Sequence, residues 1–492
     1  LLGLFFILFL QASNLGEGIK NIEIFSLFLL VSISSCLFFT ISLLIFRNSD
    51  KASFFSTIIL FILFSYGYFY DLFNEIPILN EVSRHRYLVP MISIFSLLLV
   101  TWVHIKNYTY KKFIFIAFIT LSILILINLS QSLIFKFNPI NPIMPELNIK
   151  NNENTELPDV YHIVLDMYPS EDILETRFDF NNTEFLKQLS SLGFKKENMK
   201  SNYIRTLFSI PSTINMKHFY NISDYEFQYI KETNTSFNKS VEANIARDLG
   251  YQIHELSTSN VKSFYSSFFG DFSRVFIRTG ILRIIDDSSI PIHNFWINKN
   301  QKYFHENISD LVELSNNEDQ TWTYFYSRPP HPPFIFNEDG TKNLNSNPYN
   351  TFAEDLSDKW NEKEKENFIK QLKYVNKTII KTVEKIISNS KNSIIIIHSD
   401  HGVSKISGEY INDGNDMPYE IYEELFSTIN FIYSPNNCIN ENHSIKTNIN
   451  IIPTLLRECF KININNQENL QFWNDRNNQY SNFKTEEFIL IK

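Results

Sequence analysis

Cysteine is scarce in this chain of 492 residues, which contains only three. Cys36 lies in a long apolar segment, and Cys438 and Cys459 lie near the other end of the chain. Three cysteines cannot form the dense disulfide framework of a small secreted domain, and they do not supply a thiolate metal site. The sequence leaves open whether Cys438 and Cys459 form one bridge.

An excess of basic charge is also missing. Residues beyond 150 carry 46 Asp and Glu against 34 Lys and Arg, a net charge of −12. Nucleic-acid phosphates attract the opposite sign, so we expect no nucleic-acid partner. No internal repeat stands out at periods of about 20 to 50 residues, which argues against a repeat architecture.

Polar residues are rare before residue 137, where five apolar stretches follow one another. Four of them approach the roughly 20 residues that a helix needs to cross a bilayer core of about 30 Å. These are Ile24–Phe46, Ser53–Tyr70, Tyr87–Val103 and Phe113–Phe135, and Leu1–Leu10 resembles the end of a fifth. A removable signal peptide accounts for only one such stretch, and a soluble helix bundle would show polar faces. We therefore predict a transmembrane helical domain over residues 1–136.

The basic residues in the short loops indicate the orientation of these spans. Arg47 and Lys51 lie between the stretches that end at Phe46 and begin at Ser53. Three lysines lie between the stretches that end at Val103 and begin at Phe113. Loops rich in Lys and Arg stay in the cytoplasm, although Arg84 and Arg86 in the intervening loop weaken the pattern. Five alternating spans predict a multi-pass protein of the plasma (inner) membrane whose later residues lie on the extracytoplasmic side. The chain opens with Leu1 instead of Met, and we expect further residues to precede it.

The rest of the chain has the pattern of a globular α/β domain over residues 158–492, after a linker over 137–157 that is rich in Pro and Asn. Strands are predicted at 160–166, 323–327, 393–400 and 428–435, and helices at 181–192, 240–249, 361–388 and 448–459. Near-continuous apolar strands between helices favour a mostly parallel sheet that is covered by helices on both faces.

Polar side chains end two of these predicted strands. Asp166 follows the first strand, and Asp400 and His401 follow the isoleucine run at 394–397. Ligands of parallel sheets bind at the carboxyl ends of the strands, so we expect these side chains to meet at one edge. Carboxylate and imidazole together favour zinc or manganese, with magnesium and calcium as less suitable ions. Gly402 would remove a side chain that crowds the ion.

Simpler interpretations of the same residues remain open at this point. Asp166 alone would more commonly be a helix cap or loop residue, and Asp400 with His401 could form a hydrogen-bonded pair in a turn. His398, inside the apolar run, is interpreted as a packed strand residue and not as a ligand.

Seven segments between residues 157 and 457 carry a family resemblance. Among them are PDVYHIVLDMYPSEDIL, SNYIRTLFSIPSTINM, RPPHPPFIFNEDG and SDHG. In order and spacing they resemble the membrane-anchored sulfatase-like proteins of the alkaline phosphatase superfamily, a group similar to lipoteichoic acid synthases and phosphoethanolamine transferases.

This resemblance implies a metal centre with a nucleophile. Asp166, Asp400 and His401 would bind one divalent ion, and Thr206 in YIRTLFSIP would be both the nucleophile and the fourth ligand. A divalent cation on a threonine oxygen stabilises the alkoxide near neutral pH. From the residues alone, the other hydroxyls of the same run would serve equally well.

Other residues are assigned less directly. The resemblance implies that His331 in PPHPPF contacts the transferred group, and Arg205 is a candidate phosphate ligand. Sulfatases carry a cysteine in a Cys-x-Pro-Ser-Arg context where this chain has Thr206, so a sulfate ester is disfavoured. No ligand set for a second ion is evident, since His443 lies in a segment that resembles a solvated loop.

These observations predict a metal-dependent transferase with a phospho-threonine intermediate. The donor would be a phospholipid, the acceptor a cell-surface glycan or lipid, and the transferred group of the phosphoethanolamine or phosphoglycerol type. One alternative is a membrane-tethered phosphodiesterase or sulfatase-like hydrolase, which uses water as the acceptor. Another is a scaffold with a degenerate phosphatase fold and no activity.

Overall fold

The chain folds as two compact units. The first comprises Leu1–Pro139 with Lys262–His293, and the second comprises Ile140–Val261 with Asn294–Lys492. The first unit therefore includes a segment from within the predicted C-terminal domain. The computed structural model describes residues 21–75, 84–106, 110–137, 157–220, 222, 224–257, 280–284, 292–344, 360–390, 392–403, 419–434, 438–439, 445–473 and 489–491.

The described N-terminal part of the first unit is helical. Its helices are α1 (Asn21–Phe46), α2 (Ser49–Phe64), α3 (Tyr66–Glu75), α4 (His85–Ile105) and α5 (Lys111–Phe137). Among the described residues, three stretches are long and apolar enough to cross a membrane, namely Phe25–Phe46, His85–Ile105 and Lys111–Asn128. Each coincides with a predicted span. Large apolar side chains on them are exposed, including Leu44, Leu97 and Ile105, as expected where lipid covers a helix.

The predicted span Ser53–Tyr70 is divided into two helices. α2 ends at Phe64, and Ser65, whose backbone N–H donates to Phe61 O, separates it from α3. The 16 residues of α2 rise roughly 24 Å at about 1.5 Å per residue, which is less than a bilayer core of about 30 Å. The stretch Leu1–Leu10 lies outside the described residues.

A turn from the later chain lies against α2 and α3 within the first unit. The backbone N–H of Ile281 donates to Leu63 O at 2.7 Å. The buried Arg283 guanidinium lies 4.3 Å from the centre of the Tyr70 ring. A hydrogen bond and a cation–π contact thus attach this turn to the helices.

The second unit is built on a six-stranded sheet. In sheet order the strands are β2 (Lys195–Lys196), β6 (Asn430–Tyr433), β5 (Ser393–His398), β1 (Asp159–Leu165), β4 (Thr321–Ser327) and β3 (Gln252–Ser257). β3, β4, β1 and β5 run parallel, whereas β6 and β2 pair antiparallel at one side. The mostly parallel sheet is confirmed, and the four predicted strands coincide with β1, β4, β5 and β6.

Helices cover both faces of this sheet, as predicted. They are α6 (Glu171–Phe178), α7 (Thr183–Ser191), α8 (Thr206–Asn215), α9 (Asp224–Thr235), α10 (Val241–Asp248), α11 (Ile292–Leu314), α12 (Glu362–Asn389), α13 (Tyr419–Phe426) and α14 (Ile451–Phe460). Alternate residues of each strand point to opposite faces, so Ile395 and Ile397 join one apolar core and Ile394 and Ile396 the other. The four predicted helices correspond to α7, α10, α12 and α14.

The register aligns the ends of the central strands. Leu165 of β1 pairs with Ser327 of β4, and Val164 pairs with His398 of β5. Continued by one or two residues, this register places Asp166, Arg328 and Asp400 in one row beyond the strand ends, which is where parallel sheets bind ligands.

One disulfide joins Cys438 to Cys459, with the two Cα atoms 5.1 Å apart. The sequence left this bridge open. Disulfides persist mainly in oxidising compartments, which agrees with the predicted extracytoplasmic position of this part of the chain.

Candidate active site and metal centre

Four of the predicted site residues meet at the carboxyl edge of the sheet. Thr206 Oγ1 lies 3.2 Å from His401 Nε2 and 3.4 Å from Asp166 Oδ1. The same His401 nitrogen lies 3.5 Å from Asp166 Oδ1 and 3.6 Å from Asp400 Oδ2. The two carboxylates and the imidazole are buried, and their ligand atoms all lie within 4.8 Å of one another.

These separations fit a tetrahedral metal site. Zinc lies about 2.0–2.2 Å from nitrogen and oxygen ligands, which puts neighbouring ligands of a tetrahedron roughly 3.4 Å apart. The four measured separations between donor atoms range from 3.2 to 3.6 Å. The donor set therefore suits a small divalent cation such as zinc.

Asp400 shows the need for a cation most directly. Its Oδ1 accepts hydrogen bonds from the backbone N–H groups of Met167, at 3.1 Å, and His401, at 2.9 Å. Its Oδ2 is buried and has no hydrogen-bond partner among the described residues. A buried carboxylate oxygen without a partner is costly, and a metal ion at this centre would compensate for it.

Asp166 is held in a similar way. Tyr326 Oη donates to Asp166 Oδ2 at 2.5 Å, which leaves Oδ1 towards Thr206. Burial raises the pKa of Asp166 well above its ordinary range, and the nearby Asp400 raises it further, while Arg328 opposes both effects. Two carboxylates buried side by side require positive charge between them if both are to ionise.

His401 presents the correct nitrogen to the centre. Its Nδ1 lies 2.8 Å from Gly402 O. Because a carbonyl oxygen only accepts hydrogen bonds, Nδ1 carries the proton and Nε2 keeps its lone pair. Each of the three ligands thus has one polar atom fixed by the protein and one that faces the common centre.

Gly402 allows a close backbone contact that the sequence did not predict. A Cβ atom at this position would lie 2.1 Å from Glu424 O and 2.8 Å from Leu425 O, both of them backbone atoms. The backbone N–H of Gly402 also donates to Leu425 O at 2.8 Å. Gly402 therefore allows the His401 loop to pack against the end of α13, and its predicted role in leaving room for the ion stays a prediction.

Gly402→Ala is accordingly expected to destabilise the second unit. Backbone atoms cannot move aside as a side chain tip can, so the cost should be about 1–3 kcal/mol and the melting temperature should fall by several degrees. Scanning fluorimetry on detergent-purified protein measures this. Ser388→Ala, at the exposed end of α12, is the control and should leave the melting temperature unchanged. Equal melting temperatures for all three proteins would contradict the close approach.

The N-terminus of α8 positions Thr206. The preceding segment is tied down by Ser201, whose backbone N–H donates to Phe426 O at 2.8 Å. Ser209 Oγ, one turn into α8, donates to the backbone oxygen of Asp400. Thr206 thus lies at the positive end of a helix dipole, which favours an alkoxide and a bound phosphoryl group.

A cavity of about 300 Å³ opens beside Thr206 and Asp166. Arg328 and His331 line it, whereas Arg205 is not among the described lining residues. Arg205 is half-buried and directly precedes α8, so its predicted contact with phosphate stays a prediction. Among the described residues, the cavity is lined by Asp166, Thr206, Ile210, Thr233, Asn234, Phe237, Glu255, Ser257, Tyr324, Tyr326, Arg328 and His331.

Gln371 holds the loop that carries His331. This fully buried side chain of α12 donates through Nε2 to Pro330 O at 3.0 Å and to His331 O at 3.1 Å. His331 Nδ1 lies 2.7 Å from Pro332 O, and its ring centre is 6.3 Å from that of His401. His331 is therefore fixed at the cavity wall near the metal ligands.

Three site residues escaped the sequence analysis. Arg328 is the first residue after β4, as Asp166 is the first residue after β1. The rule that predicted Asp166 as a site residue could therefore have predicted Arg328. Tyr326 could have been placed on the site face by the alternation along β4. Gln371 gave no signal, since helical periodicity predicts only that its position is buried.

His398 is a buried strand residue, as predicted. Its Nε2 lies 2.8 Å from His162 Nε2, and His162 Nδ1 lies 2.8 Å from Glu242 Oε1. Burial, together with the neighbouring His162, lowers the pKa of His398 to about 3, so this imidazole is neutral. Trp322 Nε1 also donates to Glu242 Oε1 at 2.9 Å. His443 lies outside the described residues.

Without metal, the second unit is expected to lose stability as the pH rises. The raised pKa of Asp166 means that the folded state binds this proton more tightly than the unfolded state does. Stability therefore falls as the pH rises from the ordinary value of 3.8 through the raised folded pKa. A bound cation removes this penalty and competes with the proton, so the stabilisation by metal grows with pH.

Melting temperatures of chelator-treated protein, measured from pH 5 to 8 with and without added Zn²⁺, check this expectation. Asp166→Asn does not titrate and should show a flatter profile in the absence of metal. Identical pH profiles for the two proteins would contradict the assignment of the effect to Asp166.

No protein-family model matches the sequence, and no curated protein matches it in a sequence comparison. Solved structures do match. The C-terminal periplasmic domain of EcEptC from Escherichia coli, in complex with Zn, matches with 9% identity and a TM-score of 0.40 over 65% of this chain and 87% of that chain. The integral membrane lipooligosaccharide phosphoethanolamine transferase A (EptA) from Neisseria meningitidis matches with 11% identity and a TM-score of 0.38, over 95% of this chain and 94% of that chain.

A third match is the lipoteichoic acid synthase LtaP from Listeria monocytogenes, with 14% identity and a TM-score of 0.37 over 67% of this chain and 82% of that chain. The matched structures are of the kinds that the sequence resemblance named. The activity proposed below depends on the geometry of Asp166, Thr206, Asp400 and His401.

Proposed function

We propose that this protein is a metal-dependent enzyme that transfers a phospho-substituent from a lipid donor, by way of Thr206, to an acceptor at the cell surface. One observation supports this most: the Thr206 hydroxyl lies within 3.4 Å of both His401 Nε2 and Asp166 Oδ1. A nucleophile in contact with the ligand atoms of a metal centre is the arrangement that phosphoryl transfer through a covalent intermediate requires.

In the first half of the reaction, Thr206 Oγ1 attacks the phosphorus of the donor. A bond forms between Thr206 and phosphorus, and the bond from phosphorus to the lipid oxygen breaks. The lipid leaves as a diacylglycerol whose new hydroxyl carries the proton that Thr206 gave up. In the second half, an acceptor hydroxyl attacks the same phosphorus, and Thr206 regains a proton as its bond to phosphorus breaks.

The metal fits the residues present. Bound by Asp166, Asp400 and His401, a divalent cation would lower the energy of the Thr206 alkoxide and neutralise a phosphoryl oxygen. Zinc is the ion that the mixed oxygen and nitrogen donor set favours.

Two cavity residues are suited to hold the phosphoryl group. Arg328 occupies the row of Asp166 and Asp400, close enough to Asp166 to act on its pKa, and its guanidinium can bind phosphate oxygens. His331 lies on the same cavity wall. Positioning and charge neutralisation are most of what phosphoryl transfer needs from a protein.

The apolar helices agree with a lipid donor. In the proposed arrangement the protein lies in the plasma membrane with its second unit on the extracytoplasmic side. Tethering to the bilayer keeps lipid head groups at a high effective concentration near the domain. Cell-surface glycans or lipids would then be the accessible acceptors.

The test uses full-length protein in nanodiscs that contain phospholipid with a radiolabelled head group. With Zn²⁺ and no acceptor, we expect at most one label per chain on Thr206, located by mass spectrometry, and an equal amount of diacylglycerol. Adding an acceptor glycolipid should restart turnover. Continuous release of the phosphorylated head group without any acceptor would instead identify a hydrolase. If the protein acquires no label and holds no tightly bound metal, the enzymatic proposal is overturned and the scaffold alternative remains.

A further inference from the structure

The cavity has a second polar end, on the side of β3. Glu255 of β3 pairs in register with Tyr324 of β4, and both side chains line the cavity. Tyr324 lies two residues before Tyr326, which bonds to Asp166, so the two ends belong to the same face of the sheet. One ligand in this cavity can therefore reach from the metal ligands towards Glu255.

Neutral hydrogen-bond donors hold the carboxylate of Glu255. Its carboxylate accepts hydrogen bonds from the backbone N–H of Phe237 at 3.0 Å and from the Asn238 side chain at 2.8 Å. Weaker bonds come from Ser236 Oγ and from the Asn238 backbone. These donors are neutral, so they satisfy the carboxylate oxygens without neutralising the charge.

Two further acceptors at this end lack hydrogen-bond partners among the described residues. They are Asn234 Oδ1 and the Tyr324 hydroxyl, and both atoms are buried. Tyr324 is only 4% exposed. Burial raises the pKa of Tyr324, and the carboxylates of Glu242 and Glu255 raise it further, so this phenol stays uncharged. Buried polar atoms without partners indicate that a ligand completes them.

An aromatic wall fixes these acceptors in place. The Phe237 ring stacks on the Tyr324 ring with centres 4.4 Å apart and planes 4° apart. Both residues are buried and both line the cavity. The stacked pair thus holds the Tyr324 hydroxyl and the Phe237 backbone beside the half-buried carboxylate of Glu255.

The opposite end of the cavity has the opposite charge. Arg328, His331 and the metal centre suit a phosphoryl group, whereas Glu255, Asn234 and Tyr324 offer negative charge and hydrogen-bond acceptors. A phospho-substituent that ends in a protonated amine matches both ends. One that ends in neutral hydroxyls would leave the charge of Glu255 unpaired.

We infer that Glu255, Asn234 and Tyr324 form a subsite for a primary ammonium group, and that this subsite selects amine-bearing phospho-substituents over neutral ones. The inference rests on the proposed function for its role in transfer, and it deepens that function by naming the substrate class. Glu255 is then the specificity-determining residue, and the hydrogen bonds that it accepts from the turn at 236–238 hold it in position.

The transfer test compares three donors in nanodiscs of otherwise equal composition: phosphatidylethanolamine, phosphatidylcholine and phosphatidylglycerol. The rate of label transfer to Thr206 should be at least about tenfold higher with phosphatidylethanolamine, because choline has the charge without N–H donors and glycerol lacks the charge. Glu255→Gln should bring the ratio between phosphatidylethanolamine and phosphatidylglycerol close to one. Equal wild-type rates, or an unchanged ratio in Glu255→Gln, would overturn the subsite.

Two controls separate recognition from folding. Glu184→Gln removes an exposed carboxylate of α7 and should keep the wild-type preference. Asn238→Ala removes a donor to Glu255 without removing the charge. If Glu255 only anchors the turn, Asn238→Ala will lose the preference as well. If Glu255 binds the amine, Asn238→Ala will keep most of it.

A binding measurement tests the subsite even if no transfer occurs. Calorimetry on the Zn²⁺-treated full-length protein compares soluble phosphoethanolamine with glycerol 3-phosphate. The wild type should bind phosphoethanolamine about tenfold more tightly, and Glu255→Gln should bind the two equally. A wild type without this difference would overturn the subsite. A wild type that shows it but never labels Thr206 would keep the subsite and overturn the transferase.

Discussion

Thr206→Ala is expected to lower the transfer activity at least about 1000-fold and to abolish the labelled enzyme. No other described hydroxyl combines a position at the cavity with contact to both His401 Nε2 and Asp166 Oδ1. The measurement is the amount of label per chain with phospholipid donor and Zn²⁺, together with the release of diacylglycerol. Thr206→Ser keeps a hydroxyl at the same place and should retain labelled enzyme.

Ser212→Ala is the matched control for this result. Ser212 lies in α8 like Thr206, but it is fully buried and does not line the cavity. Its replacement should leave the label on Thr206. A Thr206→Ala protein that still becomes labelled would show that another residue is the nucleophile, and the peptide carrying the label would identify it.

Asp400→Asn is expected to lose the tightly bound metal and to lower activity at least about 100-fold. The change removes the charge of the carboxylate whose Oδ2 has no hydrogen-bond partner among the described residues. Metal content after dialysis, measured by mass spectrometry, should fall from about one ion per chain to near zero.

The same substitution has a second, opposite effect on stability. Without metal, Asp400→Asn should melt at a higher temperature than the wild type, because it removes one of two neighbouring buried carboxylates. Added Zn²⁺ should raise the melting temperature of the wild type but not that of Asp400→Asn. Asp310→Asn, on the exposed side of α11, is the control and should behave like the wild type. An Asp400→Asn protein that keeps its metal would exclude Asp400 as a ligand.

The three central strands that position the site share one physical property. β1, β4 and β5 are apolar runs that end abruptly in polar residues, and the central position of these strands makes them apolar on both faces. Asp166, Asp400 and His401 could be placed at one edge for this reason. The hydrophobic pattern alone was enough to place these three residues at one edge, and the order of the strands in the sheet was not needed.

What escaped prediction depends on neighbours in space. β3 lies at the edge of the sheet and is mostly polar, with only two apolar residues among its six, so it gave no strand pattern to recognise. Arg205 attracted attention because it precedes Thr206 in the chain, whereas Arg328 reaches the site through the pairing of β4 with β1. Such contacts are fixed by register across more than 100 residues, and no local pattern encodes them.

The order of the ligands along the chain has a consequence for biogenesis. Asp166 directly follows the first strand after the apolar helices, while Asp400 and His401 follow a strand near the end of the domain. During synthesis and export, Asp166 emerges long before its co-ligands, and the donor set becomes complete only once most of the domain has been translocated. In the proposed orientation the protein must therefore acquire its ion from the pool outside the cytoplasm, and scarcity of that ion there would limit the enzyme after export and not during translation.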